Sequence, residues 1–174
     1  QILGACLSLL LTACASLPDD LQQTPSQGWQ EPENTLLGGI VAETAPDDPS
    51  LSGVELLPYP DDAFSTRFAI AGLAEKTLDL QYYLWKGDLA GQLLLWRALE
   101  AADRGVQVRF LIDDIYHSGR DHVYALLDAH PNFELRVFNP MADRGAAKNL
   151  NYLKNRRHRN HRMHNKIFLA DNAV

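Results

Sequence analysis

Between residues 77 and 138 the chain passes in turn through three strand-like and two helix-like hydrophobic patterns, and this alternation limits the fold more than any other feature. Residues 77–85 (TLDLQYYLW) alternate in polarity and are rich in β-formers, the pattern of a strand. Residues 88–104 (DLAGQLLLWRALEAADR) carry apolar groups at helical spacing, with Gly105 as the stop. Residues 106–112 (VQVRFLI) form the next strand. A helix starting at Ser118 or Asp121 then runs to His130 and ends before Pro131, and residues 133–138 form a third strand. Upstream, Asp61-Asp62 offers an N-cap for a helix in which Phe64, Phe68 and Ala71 recur, up to about Lys76. Downstream, a long polar stretch with a helical turn around 147–154 leads to a last strand at 164–170 (HNKIFLA). Strands separated by helices need crossover connections, so the expected class is α/β: βαβ units forming a sheet flanked by helices.

The 174 residues suffice for one domain with a hydrophobic core. Apolar residues at 46% and charged residues at 22% exclude wholesale disorder, and two cysteines exclude a disulfide scaffold. The net charge of −6 hides a division. Residues 1–66 hold ten Asp and Glu and no Lys or Arg, whereas 67–174 hold all sixteen basic residues against twelve acidic ones. The second part is therefore suited to an anionic partner.

Residues 2–11 (ILGACLSLLL) are too short an apolar run to span a bilayer, but match the hydrophobic region of a secretory signal. Leu11-Thr12-Ala13-Cys14 then resembles a bacterial lipobox, in which the cysteine is acylated; a plain signal peptide with an incidental cysteine is the alternative. The expected organisation is a lipoprotein-type signal at 1–14, an acidic Pro-rich tether at 15–58 and a globular domain at 59–174, with the chain incomplete at both ends. Seven prolines break any periodicity between residues 16 and 60, and Leu36-Leu37-Gly38-Gly39-Ile40-Val41 reads as a short extended piece docking on the domain. An acylated Cys14 would hold the protein on the membrane surface of a bacterial envelope, on the periplasmic or outer side.

The chemistry concentrates in His164-Asn165-Lys166-Ile167-Phe168-Leu169-Ala170-Asp171. On a strand His164 and Lys166 share a face. A neutral imidazole nitrogen can attack phosphorus while the ammonium neutralises the non-bridging oxygens. Asp171, past the strand end, is a candidate to orient the imidazole and set its tautomer. His158, His161 and His164 are three apart, a spacing a metal cluster could use. However, the six basic residues between 154 and 166 oppose a cation, so no metal or other cofactor is expected. Residues 144–166 hold eight Lys or Arg and no acid, as a solvated loop or a nucleic-acid groove would. Asp113-Asp114 at a strand end reads as a turn cap that also has reach toward the site, and Trp85, Trp96, Tyr82 and Tyr83 read as core.

The His-x-Lys-x-x-x-x-Asp block, together with Asp79 to Trp85 (DLQYYLW), Asp88, Gly91, Ala101-Ala102-Asp103-Arg104-Gly105-Val106, Leu111-Ile112-Asp113-Asp114, Asp128-Ala129-His130-Pro131-Asn132, Val137-Phe138-Asn139-Pro140 and Arg162-Met163, resembles the first half of phospholipase D superfamily proteins of the cardiolipin synthase-like branch. The resemblance runs from about Pro58 to Val174. It implies a phospholipase D-like half-domain and a phosphohistidine intermediate. His164 would be nucleophile or acid, Lys166 the phosphate clamp and Asp171 the orienting carboxylate. It also implies a phospholipid substrate such as phosphatidylglycerol, and a second motif from a C-terminal half or a homodimer partner. A nuclease of the same superfamily, or an inactive binding relic, are the alternatives. If Cys14 is acylated, metabolic labelling with a clickable fatty acid in a bacterial host will mark the wild type and not Cys14→Ser; equal labelling of the two discards the lipobox.

Overall fold

In the computed structural model, residues 25–48, 50–116, 119–141 and 160–174 are described. The leader with Cys14, the turn expected at 147–154, His158 and the basic residues from 144 to 159 lie outside them.

The framework is a four-stranded sheet of β1 (Thr77–Tyr82), β2 (Gln107–Asp113), β3 (Phe133–Phe138) and β4 (Lys166–Ala170), in the order β3-β2-β1-β4. β1, β2 and β3 are mutually parallel, and β4 runs antiparallel to β1. Among the described residues four α-helices accompany them: α1 (Leu36–Thr44), α2 (Pro60–Leu73), α3 (Leu89–Asp103) and α4 (Asp121–Asp128). The mixed sheet flanked by helices is the α/β arrangement that the alternating periodicity predicts.

Most of these boundaries have a local cause, and one has a distant one. Asp88 caps α3 by accepting from the Gly91 N–H at 3.0 Å, and Gly105 leaves the helix at φ 97, a left-handed conformation that costs glycine least. α2 starts with Pro60 at its first turn, after Tyr59, so Asp61 and Asp62 sit inside that turn, where they complement the helix dipole. It stops at Leu73 rather than near Lys76: the Ala74 N–H still donates to the Ile70 carbonyl at 2.9 Å, but the three backbone N–H groups after it turn to another acceptor. The buried Asp171 carboxylate takes the N–H of Glu75 at 3.0 Å, of Lys76 at 2.7 Å and of Thr77 at 3.0 Å. The Asp171 N–H in turn donates to the Thr77 carbonyl at 2.8 Å, which ties the end of β4 to the start of β1.

One sheet face carries the core. Leu78 and Leu80 of β1 are fully buried, and Val108, Phe110 and Ile112 of β2 nearly so, against Ala98, Ala101 and Ala102 of α3. The alanines let the helix approach closely, and each large aliphatic side chain contributes roughly 1.5–3 kcal/mol by leaving water. Trp85 lies past the end of β1, not within it as the sequence pattern suggests, and turns into this core with edge contacts to Tyr82 and Phe110. Trp96, expected in the core, is half exposed and leans on Phe68.

The opposite face is charged, with Arg109 paired to Asp79 across β1 and β2. Part of the Pro-rich segment lies on it. The Ser26 hydroxyl donates to Glu134 of β3, and Trp29 receives the Lys76 ammonium over its ring. Residues 36–41, expected to be a short extended piece, belong instead to the helix α1. Thr35 supplies a cap that the proline and glycine content conceals: its hydroxyl accepts from the Gly38 N–H at 3.1 Å and donates to the Pro32 carbonyl at 2.7 Å. A Cβ at Gly38 would stand 1.8 Å from that carbonyl oxygen, so only glycine fits there. Leu37 is buried, and the Leu36 N–H donates to Glu75.

Asp171→Ala leaves three N–H groups without their acceptor, at least one of them fully enclosed. The expected loss is about 2–4 kcal/mol in urea unfolding, since each orphaned donor costs about 1–3 kcal/mol before water returns. An unchanged midpoint removes this role.

Candidate active site

At the carboxyl edge of β1, β2 and β3, where ligands of parallel sheets commonly sit, the chain gathers Tyr83, Asp113, Asp114, Tyr116, Asn139, Arg162, His164 and Lys166. Because β4 is antiparallel to β1, its first residue arrives at this same edge: Lys166 pairs with Tyr82 in the register. The Tyr83 N–H donates to the Asn165 carbonyl at 3.1 Å and the Asn165 side chain donates to Gln81 at 2.9 Å, carrying the pairing to the neighbour of His164.

His164 and Lys166 are both exposed, on the same side of the strand as the spacing predicts. The Lys166 ammonium donates to the His164 carbonyl at 2.9 Å and lies 3.1 Å from its Nδ1. A charged ammonium has only donors, so Nδ1 accepts in this arrangement and a neutral ring carries its proton on Nε2. The Tyr83 ring lies 4.8 Å from the imidazole, centroid to centroid, and 5.6 Å from the Lys166 ammonium. Tyr83 also meets the Tyr116 ring edge-on at 5.7 Å. A hydrogen bond with Tyr116 holds the Tyr83 hydroxyl above the usual phenol range, with smaller contributions from burial and the Asp113 charge.

Beneath this exposed pair is a buried anchor. The Asp113 carboxylate, with no solvent exposure, accepts from the Ile115 N–H at 2.9 Å, the Met163 N–H at 2.9 Å and the Arg162 guanidinium at 3.0 Å. Arg162 is itself nearly buried and donates further to the carbonyls of Asn139 and His161. Asn139 donates to His161 as well, and Asp114, also fully buried, accepts from the Met141 N–H at 2.6 Å. Asp113 therefore caps the turn after β2, as the sequence suggests, and also fixes the two residues that lead into His164.

The structure brings His164 and Lys166 together and leaves Asp171 apart from them. Asp171 lies at the other end of β4, roughly 20 Å of extended chain from His164 at about 3.3 Å per residue. Its oxygens are committed to the backbone of residues 75–77. The expectation that Asp171 orients the imidazole is thus corrected: one rigid strand cannot present both ends to one ring. Tyr83 was read as core and is instead at the site. Tyr83 is the first residue past the end of β1, so strand alternation does not assign it to the core. Arg162, counted among the basic residues of a possible nucleic-acid groove, is consumed by Asp113. Among the described residues no group of three His, Cys, Asp or Glu side chains is placed to hold a metal ion. No helix among them is long and apolar enough to cross a membrane.

Comparison with known proteins gives the following relationships. The chain is 42% identical over 138 residues to cardiolipin synthase C of Escherichia coli (strain K12), covering 79% of this chain and 29% of that protein. It is 36% identical over 148 residues to an uncharacterised protein of Helicobacter pylori (strain ATCC 700392 / 26695), covering 82% of this chain and 28% of that one. The chain thus spans less than a third of these curated relatives. NucT from Helicobacter pylori is similar in structure at a TM-score of 0.40 and 20% identity, over 48% of this chain and 52% of that one. No family model matches.

Asp113→Ala leaves the Arg162 guanidinium buried opposite no anion. A loss of about 3–5 kcal/mol is expected in chemical unfolding, as for other buried pairs cut on one side. A loss below about 1 kcal/mol, the range of exposed ion pairs, would show that the anchor is not rigid.

Proposed function

This chain is related to the cardiolipin synthase-like branch of the phospholipase D superfamily, and we propose that it supplies one half of an active site that cleaves or transfers phosphodiesters of phospholipids. The observation that carries the reading is the His164–Lys166 pair, exposed side by side at the carboxyl edge of the sheet on a backbone fixed from below. The ammonium now satisfies Nδ1 and the His164 carbonyl. A substrate phosphate competes for that ammonium. As Lys166 swings to the phosphate oxygens, the imidazole is released to exchange its tautomer and present a lone pair to phosphorus.

His164 then attacks phosphorus, a phosphohistidine forms, and the leaving alkoxide takes its proton from an acid outside this pair. In this scheme a second His-x-Lys motif supplies that acid, from the remainder of a longer chain or from a second copy. Water as acceptor gives phosphatidic acid; the glycerol head of a second phosphatidylglycerol gives cardiolipin. With one motif, the 174 residues alone are expected to turn over little or nothing. Asp171 has no chemical step here and keeps its structural one. The proposed setting is a bacterial membrane surface, reached through a lipid on Cys14 and the Pro-rich segment as tether.

In the full-length protein, His164→Ala is expected to abolish turnover of phosphatidylglycerol vesicles. Lys166→Ala should lower it about a hundredfold or more, the usual cost of one preorganised charge stabiliser. Each variant should keep the unfolding midpoint of the wild type, since both side chains are exposed. Parallel incubation with single-stranded DNA at physiological salt separates the classes. Cardiolipin or phosphatidic acid with intact DNA supports the lipid reading. Cleaved DNA with unchanged lipid replaces it with a nuclease, the reading that the eight basic residues at 144–166 would favour.

A further inference from the structure

A concavity opens on the core side of the sheet, between α3 and α4. Its volume is about 250 Å³ and its lining is almost wholly apolar: Trp85, Leu95, Phe110, Ile112, Tyr124 and Leu127. Gly87 and Gly91 keep it open, because neither carries a side chain to fill it. Gly91 cannot acquire one, as a Cβ there would stand 2.0 Å from the Lys86 carbonyl oxygen. Val123 and Gln92 line it as well, with two exposed cations, Lys86 and Arg120, and no acidic residue takes part. Arg120 is steadied at this position by a hydrogen bond to the Trp85 carbonyl at 3.4 Å.

An apolar hollow of this size holds water poorly and lowers stability unless something apolar enters it. At roughly 30 Å³ for each small group, the share of one water molecule in the liquid, it accommodates about eight methylenes. The two cations at its open side select a chain with an anionic head. It also faces the right way. Phe110 and Ile112 are the register partners of Leu80 and Tyr82, and Tyr82 is the partner of Lys166, so groove and Lys166 belong to one face of the sheet.

We propose that this groove binds one medium-length acyl chain of an anionic amphiphile, with the chain against Trp85, Phe110 and Ile112 and the head group at Arg120 and Lys86. The choice of occupant rests on the lipid reading given above. The charge pattern supports it independently: a neutral apolar ligand needs no cations at the mouth, and a nucleic acid offers no chain to bury.

The test uses the 174-residue chain with Trp29→Phe and Trp96→Phe, so that Trp85 is the remaining indole. Decanoate brominated at its terminal carbon, kept below its micelle concentration, is titrated while Trp85 fluorescence is read. Saturable quenching is expected. Val123→Phe, which places a ring over the groove from α4, should weaken it about tenfold by displacing about two methylenes. Arg120→Gln, at an exposed side chain that leaves the packing intact, should weaken it about threefold, and bromodecanol should bind the parent chain no better than the Arg120→Gln variant binds bromodecanoate. Quenching that rises linearly, or saturable quenching indifferent to both substitutions, overturns the groove as a site. The outcome is separable from that of the turnover assay. Saturable binding in a protein that cleaves only DNA removes the lipid chemistry and keeps the groove, whereas lipid turnover without saturable binding does the reverse.

Discussion

The antiparallel seating of β4 on β1 is the constraint on which the rest depends. Among the described strands it is the one reversal in an otherwise parallel sheet, and it brings a segment from far along the chain to the edge where β1, β2 and β3 end. Two buried carboxylates hold it, one at each end. Asp171 gathers the N–H groups of residues 75–77 at the amino end of β1, and Asp113 gathers Arg162 and Met163 at the carboxyl end. Between them the strand has little freedom to slip, and a slip of one residue would send Lys166 to the other face.

This division of labour explains why the exposed pair can be both ordered and reactive. His164 and Lys166 have few partners of their own; their positions come from the backbone on either side. The side chains thus remain accessible to a phosphate while the cost of ordering them is met by buried neighbours. The ring of Tyr83 narrows the rotamers further without using a hydrogen-bonding group of the imidazole. Under the proposed mechanism this matters, because both ring nitrogens change their proton inventory during a turnover.

Periodicity made much of this legible. Asp88, Gly105 and the bounds of β3 at residues 133 and 138 are where the pattern puts them, since caps, stops and alternation act within a few residues. What the pattern could not show depends on residues distant in sequence. Helix α2 ends early because of Asp171, some 96 residues later. Helix α1 exists because a threonine cap and a buried leucine outweigh its glycines. Strand rise alone keeps residues 164 and 171 apart, so the motif is a strand with different duties at its two ends rather than a set of converging groups. The contact of Tyr83 with His164 and Lys166, by contrast, depends on the seating of β4 beside β1 and is not visible in the sequence pattern.

That pairing also bears on the order of assembly. Gln81 and Asn165, joined at the site, are 84 residues apart in sequence, whereas β1, α3 and β2 meet through short connections. Closing the larger loop costs more chain entropy and is rewarded only once a sheet edge exists to receive β4. The expected folding order is therefore β1-α3-β2 first and β4 after it, which pulsed hydrogen exchange on the amides of β2 and β4 reads directly. A nascent or partly unfolded chain would then carry a formed core and no histidine–lysine pair. Reactive chemistry would be withheld until the last strand has docked.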